Sequence, residues 1–390
     1  AYDISLGLVG SEMCIRDRIY SIDHESRDMA LRFDLTVPLA RYVAQHYHEL
    51  DFPFRRYHVS KVYRGERNQK GRYKEFYQCD IDIIGDKGLN IHNDAEIPYI
   101  MYKAFEAINV EGLIININNR KLLTGYFDSI GIENHVDVLR LIDKKDKMDI
   151  GKFKTLLEEE LGDFDKYEKL LKFITIEGSN EQILAKLRDL KVKNDEFIAG
   201  LDELDTVYTY MKLFGMNDES IKINLYITRG LDYYTGMVYE SFIKGHKNLG
   251  SVCSGGRYDD LASNYTKEKL PGVGMSIGLT RLYFILSQAG LIDIEARPYC
   301  ELLIIPMKGA LEYSMGLLKE LRSNSIRSQI YFEKNKMGKI FSYADKENIP
   351  YVAIIGEEEM KDNKISLKNM KTGDQEAISR DEIGKIIEKI

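Results

Sequence analysis

The chain has 390 residues and carries 62 acidic against 55 basic residues, so its formal net charge is −7. That charge argues against nonspecific coating of nucleic acid or an anionic membrane, and the apolar fraction of 44% is typical of a globular protein. Four cysteines lie far apart without a CxxC pair, which argues against a zinc ribbon and a disulfide framework and fits a reducing compartment. No apolar run reaches the length of a membrane span, and the N-terminus lacks a signal-peptide layout, so we expect a cytoplasmic protein.

Residues 19–118 alternate apolar and polar side chains over short runs, which predicts antiparallel strands with a helical run at 94–108 between them. The segment "LRFDLTVP" fits one such strand, with Arg32, Asp34 and Thr36 on one face. A polar stripe of this kind is usually the solvated side of a sheet.

The segment "VYRGERNQKGRYKEFYQCDID" at residues 62–82 combines many cations with a following acidic strand. Alternation predicts a hairpin whose first strand places Arg56, His58, Ser60, Val62 and Arg64 on one face. The second strand groups Phe76, Gln78, Asp80 and Asp82 in the same way. Cations beside carboxylates suit a zwitterion next to a polyphosphate, but on charge alone a solvated hairpin with surface ion pairs is the better interpretation.

Residues 119–220 lose the alternation and predict a mostly helical insertion. Strand character returns over residues 221–296, where "RGLDYYTG" places an arginine and two tyrosines between glycines. The segment "SGGRYDD" at 254–260 is most often a turn, and "PGVGMSIGLTRL" predicts a glycine-spaced strand followed by a helix with Arg281 in its first turn. Those glycines serve either close approach of a nucleotide or close packing on a helix. Residues 297–390 predict a separate α/β unit.

These segments, in this order, resemble a class II aminoacyl-tRNA synthetase, specifically the histidyl-tRNA synthetase family. "VYRGE" with "GRYKEFYQCDID" resembles the second class II motif, and "GVGMSIGLTRL" resembles the third. "RGLDYYTG" and "GGRYD" resemble the two signatures of the histidine enzyme. The resemblance implies an α+β fold: an antiparallel catalytic sheet flanked by helices, the helical insertion, and an α/β anticodon-binding domain at 297–390.

The resemblance also implies roles for individual residues. Arg64 and Arg229 are implied at the α-phosphate of ATP, Glu66 at the adenine, and Arg72 and Arg281 at the outer phosphates. The implied histidine pocket comprises Asp34, Thr36, Gln78, Asp82, Tyr233, Tyr234 and Tyr258. L-Histidine, ATP and tRNA(His) are the implied substrates; Mg²⁺ is expected to arrive with ATP, and no protein metal ligand is assigned.

Two further expectations concern alternatives. A non-catalytic relative, the regulatory subunit of ATP phosphoribosyltransferase, shares the fold, but the retained arginines and the C-terminal unit favour the enzyme.

Residues 1–18 do not resemble the first class II motif, which lies at the dimer interface of the family; we expect them to be foreign to a truncated gene. The homodimer of the family is therefore doubtful for this chain, and its activity is expected to be poor.

Overall fold

The computed structural model describes residues 2–3, 18–23, 29–65, 70–145, 148–228, 230, 234–263, 265–292 and 299–382. The chain forms two compact units, residues 1–292 and residues 293–390. Among the residues described, no helix is both long and apolar enough to cross a membrane.

The first unit is built on a seven-stranded sheet with the order β4-β5-β10-β9-β8-β6-β7. Neighbouring strands are antiparallel except for the last pair, β6 and β7. A small three-stranded sheet has the order β1-β3-β2. The ten strands are β1 Tyr2–Asp3, β2 Ser21–Ile22, β3 Met29–Ala30, β4 Phe54–Tyr63, β5 Glu75–Ile84, β6 Leu113–Asn119, β7 Ile221–Ile223, β8 Met237–Ile243, β9 Cys253–Tyr258 and β10 Gly272–Gly278.

Nine α-helices in the described residues accompany these strands. They are α1 Thr36–Gln45, α2 His92–Ala107, α3 Arg120–Ser129, α4 His135–Asp143, α5 Ile150–Leu161, α6 Phe164–Ile174, α7 Asn180–Asp189, α8 Asp195–Leu213 and α9 Leu279–Gln288. Short 3-10 helices lie at Tyr47–Glu49, Asp218–Ser220 and Lys247–Leu249. Helices α3 to α8 all fall within residues 119–220, the range predicted to be a mostly helical insertion.

Side-chain caps explain why the insertion breaks into separate helices. Asp149, Asp163 and Asn194 each accept hydrogen bonds from backbone N–H groups in the first turn of α5, α6 and α8. Ser179 and Gln182 form a capping box at the start of α7. Each of these four helices therefore begins at a residue whose side chain satisfies one or two of its otherwise unpaired N–H groups.

The two faces of the seven-stranded sheet differ in polarity. One face carries Ile83, Ile115, Ile117, Val273 and Met275, all buried, and forms the main hydrophobic core of the unit. Helix α2 packs against β5, β6 and β10 on this core, and α8 packs against β6 and α2. The opposite face is polar and carries the candidate site.

The structure corrects the strand predicted at "LRFDLTVP". Residues 31–35 form no strand, and α1 begins at Thr36. Asp34 Oδ1 accepts a hydrogen bond of 3.1 Å from the N–H of Val37, and Pro38 lies in the first turn, where its missing N–H costs nothing. These local helix-start features override the alternating pattern.

Two other predictions near the site need correction. The segment "SGGRYDD" is not a turn, because residues 253–258 form β9 at the centre of the sheet. The strand predicted across "RGLDYYTG" is not found in the described residues of that segment, 230 and 234–236: β7 ends at Ile223, β8 begins at Met237, and the described residues between them form no strand.

The second unit is an α/β domain with a five-stranded sheet of order β12-β11-β13-β14-β15. Leu302 and Ile304 pack on one side and Leu303 and Ile305 on the other, so both faces are covered and the strand is continuously apolar. A 3-10 helix follows the last strand at Arg380–Glu382. The elements are β11 Leu302–Pro306, α10 Leu311–Ser323, β12 Ser328–Ile330, α11 Met337–Lys346, β13 Tyr351–Ile355, α12 Glu357–Lys361, β14 Lys364–Asn369 and β15 Gln375–Ser379.

Candidate active site

The predicted hairpin is present, and its register brings the polar residues into pairs. On β4 and β5, Arg56 lies opposite Asp82, His58 opposite Asp80 and Ser60 opposite Gln78. Directly opposed residues share a face of the sheet, so both predicted polar faces are confirmed as one continuous surface.

Polar residues continue across the sheet from these pairs. One row runs from His58 and Asp80 to Ser276, Ser254, Glu240 and Asn116 on β10, β9, β8 and β6. The neighbouring row passes from Arg56 and Asp82 through two glycines to Val238 and Asn118. A sheet face of this polarity is suited to binding a polar ligand.

Asp82 lies at the centre of this face and is 2% exposed. Its Oδ2 is 3.1 Å from Arg56 Nη2, and its Oδ1 accepts a hydrogen bond of 2.8 Å from the hydroxyl of Tyr258. Arg56 also donates to the carbonyl of Leu35 at 2.9 Å, so the ion pair joins the hairpin to the segment carrying Asp34. Arg56 Nε is buried and has no hydrogen-bond partner within the described part of the chain.

The glycines of β10 and β9 make room for these side chains. A Cβ added to Gly274 would lie 2.2 Å from Asp82 Oδ1, and one added to Gly272 would lie 2.3 Å from the ring of Tyr258. Gly256 leaves similar space for the ring of Tyr234. On this face the glycines accommodate side chains of the same sheet, a use that neither of the two interpretations of the glycine strand anticipated.

Burial changes the acidity of three carboxyl groups on this face. It raises the pKa of Asp82 against the opposing effect of Arg56, and it raises the pKa of Asp34 against Val37 and Arg64. Burial and the charge of Asp82 raise the pKa of Asp80 to about 7. A cationic ligand group placed among these carboxyl groups would favour their ionised forms.

Arg64 follows the end of β4 and is fixed by several neighbours. Its Nε donates to the carbonyl of Phe33 at 3.0 Å, and its Nη2 is 3.5 Å from Gln78 Oε1. The guanidinium carbon lies 4.4 Å from the ring centroid of Phe33 and 5.2 Å from that of Phe76. Gln78 therefore connects Arg64 to the polar face of β5 that also carries Asp80 and Asp82.

The other predicted cations have different surroundings. Arg281 lies in the first turn of α9, as predicted, and donates to the carbonyls of Leu249 and Ser251 at 3.2 and 3.1 Å. Arg72 is exposed next to Gly71, whose left-handed φ of 73° lets the loop turn against the ring of Phe284. Glu66, Arg229 and Tyr233 lie outside the described residues.

Several supporting residues were missed by the sequence analysis. Asn118 donates to the carbonyls of Leu225 and Ile227, and Arg120 donates to that of Gly230, so both hold the segment on either side of position 229. The ring of Tyr234 packs over Gly230. Their only sequence signal is the polar "NNR" at the end of an apolar strand.

A buried ion pair joins β9 to helix α2. Arg257 contacts Asp94 through two hydrogen bonds of 2.6 and 3.1 Å, and Asp94 is 0% exposed. Burial raises the pKa of Asp94 to about 6 although Arg257 opposes the shift. The backbone N–H of Thr235 donates to the carbonyl of Arg257, so this pair also anchors the segment that precedes β8.

Comparisons with known proteins agree with this architecture. A family profile for histidyl-tRNA synthetase matches residues 8–282, and one for an anticodon binding domain matches residues 301–390. A histidine–tRNA ligase of Clostridium tetani is 52% identical over 95% of this chain and 84% of its own length. One of Finegoldia magna is 49% identical over 100% of this chain and 89% of its own length.

Solved structures agree as well. The crystal structure of histidyl-tRNA synthetase from Nostoc sp. PCC 7120 superposes with a TM-score of 0.84 at 38% identity, covering 95% of this chain and 86% of that one. A structure from Bacillus halodurans described as an ATP phosphoribosyltransferase regulatory subunit/histidyl-tRNA synthetase has a TM-score of 0.69 at 20% identity and shares the fold; the superposition covers 83% of this chain and 81% of that one.

The antiparallel sheet with helices on one face and a polar site on the other is that of a class II aminoacyl-tRNA synthetase. Within this class of ATP-dependent ligases, the chain belongs to the histidyl-tRNA synthetase family. The predicted fold class and family are confirmed.

Substitution of Gly274 by alanine tests the geometry of the carboxylate pocket. The new methyl group would overlap Asp82 Oδ1 and lie 2.8 Å from the carbonyl oxygen of Ile81, so we expect Gly274→Ala to lower the free energy of unfolding by about 1–3 kcal/mol. Gly278→Ala is the control, because its Cβ would meet only Arg281 Cβ at 3.6 Å. Equal melting temperatures for the two variants would contradict the packing described here.

Proposed function

We propose that the polar face of the sheet binds histidine and ATP, forms histidyl-adenylate, and passes the histidyl group to tRNA(His). The observation that carries this proposal is the pair of carboxyl groups of Asp82, which is buried, and Asp34, which is partly exposed, beside Arg56 and Arg64. In this pocket the ammonium of an amino acid would lie next to the carboxylates, and its own carboxylate would lie next to the arginines.

Within this pocket we assign the α-ammonium to Asp34, Thr36 and Gln78, which lie at the start of α1 and on the facing strand. Asp82 accepts a hydrogen bond from the imidazole, with Tyr233, Tyr234 and Tyr258 around the ring. The contact of Tyr258 with Asp82 supports this part of the assignment. A fixed carboxylate acceptor favours a side chain that carries a ring N–H.

For ATP, we assign Arg64 and Arg229 to the α-phosphate; Asn118 and Arg120 hold described residues before and after position 229. We assign Glu66 to the adenine and Arg72 and Arg281 to the outer phosphates. ATP enters with its own Mg²⁺ on those phosphates. Arginines are suited to these positions because a guanidinium stays ionised and binds phosphate through two donors.

The first step joins a carboxylate oxygen of histidine to the α-phosphorus of ATP and breaks the bond to the β-phosphate, releasing pyrophosphate. Two anions meet in this step, so fixed cations stabilise the transition state and no general base is needed. In the second step a ribose hydroxyl of tRNA attacks the histidyl carbonyl and AMP leaves.

The second unit, at 301–382 in the described residues, is assigned to tRNA because it matches an anticodon binding domain. A purely regulatory role, the alternative considered from the sequence, receives less support, since curated histidine–tRNA ligases are 41–52% identical to nearly the whole chain. We also propose a reducing, cytoplasmic compartment, which fits the free thiols of Cys79, Cys253 and Cys300.

Histidine-dependent exchange of pyrophosphate into ATP tests this function directly. The full chain should catalyse exchange with histidine, at the low rate expected from its residues 1–18, should not respond to other amino acids, and should charge tRNA(His). A chain ending at residue 292 should keep exchange and lose most charging, because both hydrophobic cores of the second unit lie beyond that point. Absence of histidine-dependent exchange in the full chain would contradict the proposal, and equal loss of both activities on truncation would contradict the division of labour.

The sequence made the family's homodimer doubtful for this chain, but the exposed apolar residues of the hairpin favour association, and we infer that two copies associate through the helix-bearing face of β4 and β5. The apolar face of the sheet continues beyond its helices onto these strands, where Tyr57, Val59 and Tyr77 are 83, 54 and 43% exposed. Strand β4 is also the edge of the sheet in the described residues. An exposed apolar patch on an edge strand marks an association surface.

Light scattering tests the association. The chain of 45.1 kDa should scatter as a dimer, and Tyr57→Lys combined with Val59→Lys should shift it toward monomer because two charges would be buried at the contact. Leu213→Lys, at a residue 73% exposed at the end of α8, is the matched control and should remain dimeric. A monomeric parent chain, or a double variant that still forms dimers, would rule out this surface.

A further inference from the structure

Asp80 and Ser276 form a hydrogen-bonded chain with Gln78, and neither of these two residues has a role of its own in the proposed function. Gln78 Nε2 donates to Ser276 Oγ at 2.7 Å, and the Ser276 hydroxyl donates to Asp80 Oδ1. Gln78 and Asp80 are 8% and 4% exposed, and Ser276 lies directly opposite Asp80 on the adjacent strand β10. The chain therefore runs within the sheet, beside the assigned histidine pocket.

The direction of these hydrogen bonds fixes the orientation of the Gln78 amide. An amide has one oxygen that accepts and one NH₂ that donates, and the two ends exchange when the group rotates by half a turn. With the NH₂ on Ser276, the oxygen faces Arg64 and the site. A cationic ammonium needs that oxygen, since the opposite orientation would present N–H groups to it.

We propose that Asp80 and Ser276 are positioning residues that hold the Gln78 amide with its oxygen toward the substrate ammonium. This inference rests on the proposed function of Gln78 in histidine binding. The ionised Asp80 carboxylate only accepts, so Ser276 must donate to it and in turn accepts from Gln78. A protonated Asp80 can donate to Ser276 instead, which frees the serine hydroxyl to donate to the Gln78 oxygen; the amide then loses the partner that fixes it, and only the contact with Arg64 still favours the original orientation.

The chain is consequently sensitive to protonation of Asp80. Burial and Asp82 raise the pKa of this carboxyl to about 7, with Asp34 acting in the same direction and Arg56 and the Ser276 hydrogen bond opposing it. His58 faces Asp80 from β4, and burial lowers its pKa, which favours a neutral imidazole there. On the other side, burial raises the pKa of the Cys253 thiol, so it too remains neutral near pH 7. Histidine binding should thus weaken as pH falls through about 7.

Kinetics of pyrophosphate exchange separate this role from a merely structural one. Ser276→Ala and Asp80→Ala should each raise the histidine KM about 10-fold and leave the ATP KM within about 2-fold, the loss expected for one misdirected hydrogen bond to a charged group. Asp80→Asn should retain most activity, because its amide oxygen still accepts from Ser276. Ser129→Ala, which removes a hydroxyl that donates to the Tyr126 carbonyl at 2.7 Å in α3, is the control and should leave both constants unchanged.

A pH series supplies a second readout. The quantity to compare is kcat/KM for histidine, taken as the ratio of the wild-type value to the Asp80→Asn value at each pH. Titration of the substrate histidine affects both values equally and cancels in this ratio. That ratio should fall between pH 8 and pH 6, because only the wild-type chain loses the partner that fixes the amide orientation. A ratio independent of pH would remove Asp80 from this role.

A double-mutant cycle decides whether Ser276 acts through Gln78. Ser276→Ala should cost nothing further in a Gln78→Ala background, because the amide it orients is gone. A full additional 10-fold loss in the double variant, or an unchanged histidine KM in Ser276→Ala, would overturn the proposal while the function of Gln78 stands. If Gln78→Ala itself leaves the histidine KM unchanged, the assignment of Gln78 to the ammonium fails instead.

Discussion

The ion pair between Arg56 and Asp82 is the interaction on which the site depends. Both groups are largely removed from water, so either one alone would carry a heavy desolvation penalty. Together they join neighbouring strands of the hairpin, and Arg56 reaches on to the carbonyl of Leu35 at the start of α1. The Asp34 carboxyl lies in this same junction, so the pocket keeps its shape only while the pair is intact.

Space for the pair comes from the adjacent strands. Gly274 and Gly272 leave room for the Asp82 carboxylate and the Tyr258 ring, which then hydrogen-bond to each other across β5 and β9. A side chain at Gly274 would occupy the space of the Asp82 carboxylate, and one at Gly272 would occupy the space of the Tyr258 ring. The site is therefore built from the absence of side chains on β10 as much as from the charged residues on β5.

Much of this arrangement could be predicted from the sequence, because it follows from local periodicity. Alternation along β4 and β5 gave the correct faces for Arg56, Gln78 and Asp82, and the helix at 92–107 agrees with the run predicted at 94–108. The predictions failed where short-range chemistry or long-range pairing decides the structure. Asp34 accepting from Val37 starts a helix in a segment with strand alternation.

Long-range pairs left no recognisable pattern in the chain. Arg257 and Asp94 are far apart in sequence, and the residues around each of them do not indicate that it has a buried partner of opposite charge. The same holds for Asp80 and Ser276, which meet only because β5 and β10 are neighbours in the sheet. Strand order is a tertiary property, so residues whose role depends on it emerge only from the fold.

The most direct test of this account is the effect of Asp82→Asn on the two substrate KM values in the exchange assay. Replacing the carboxylate removes the charge that Arg56 neutralises and weakens the acceptor offered to imidazole, so the histidine KM should rise about 10–100-fold while the ATP KM stays within about 2-fold. Asp86→Asn, at an exposed residue that accepts a hydrogen bond from Tyr47 just beyond the same strand, should change neither constant. A histidine KM that is unaffected by Asp82→Asn, or a rise confined to the ATP KM, would contradict the account.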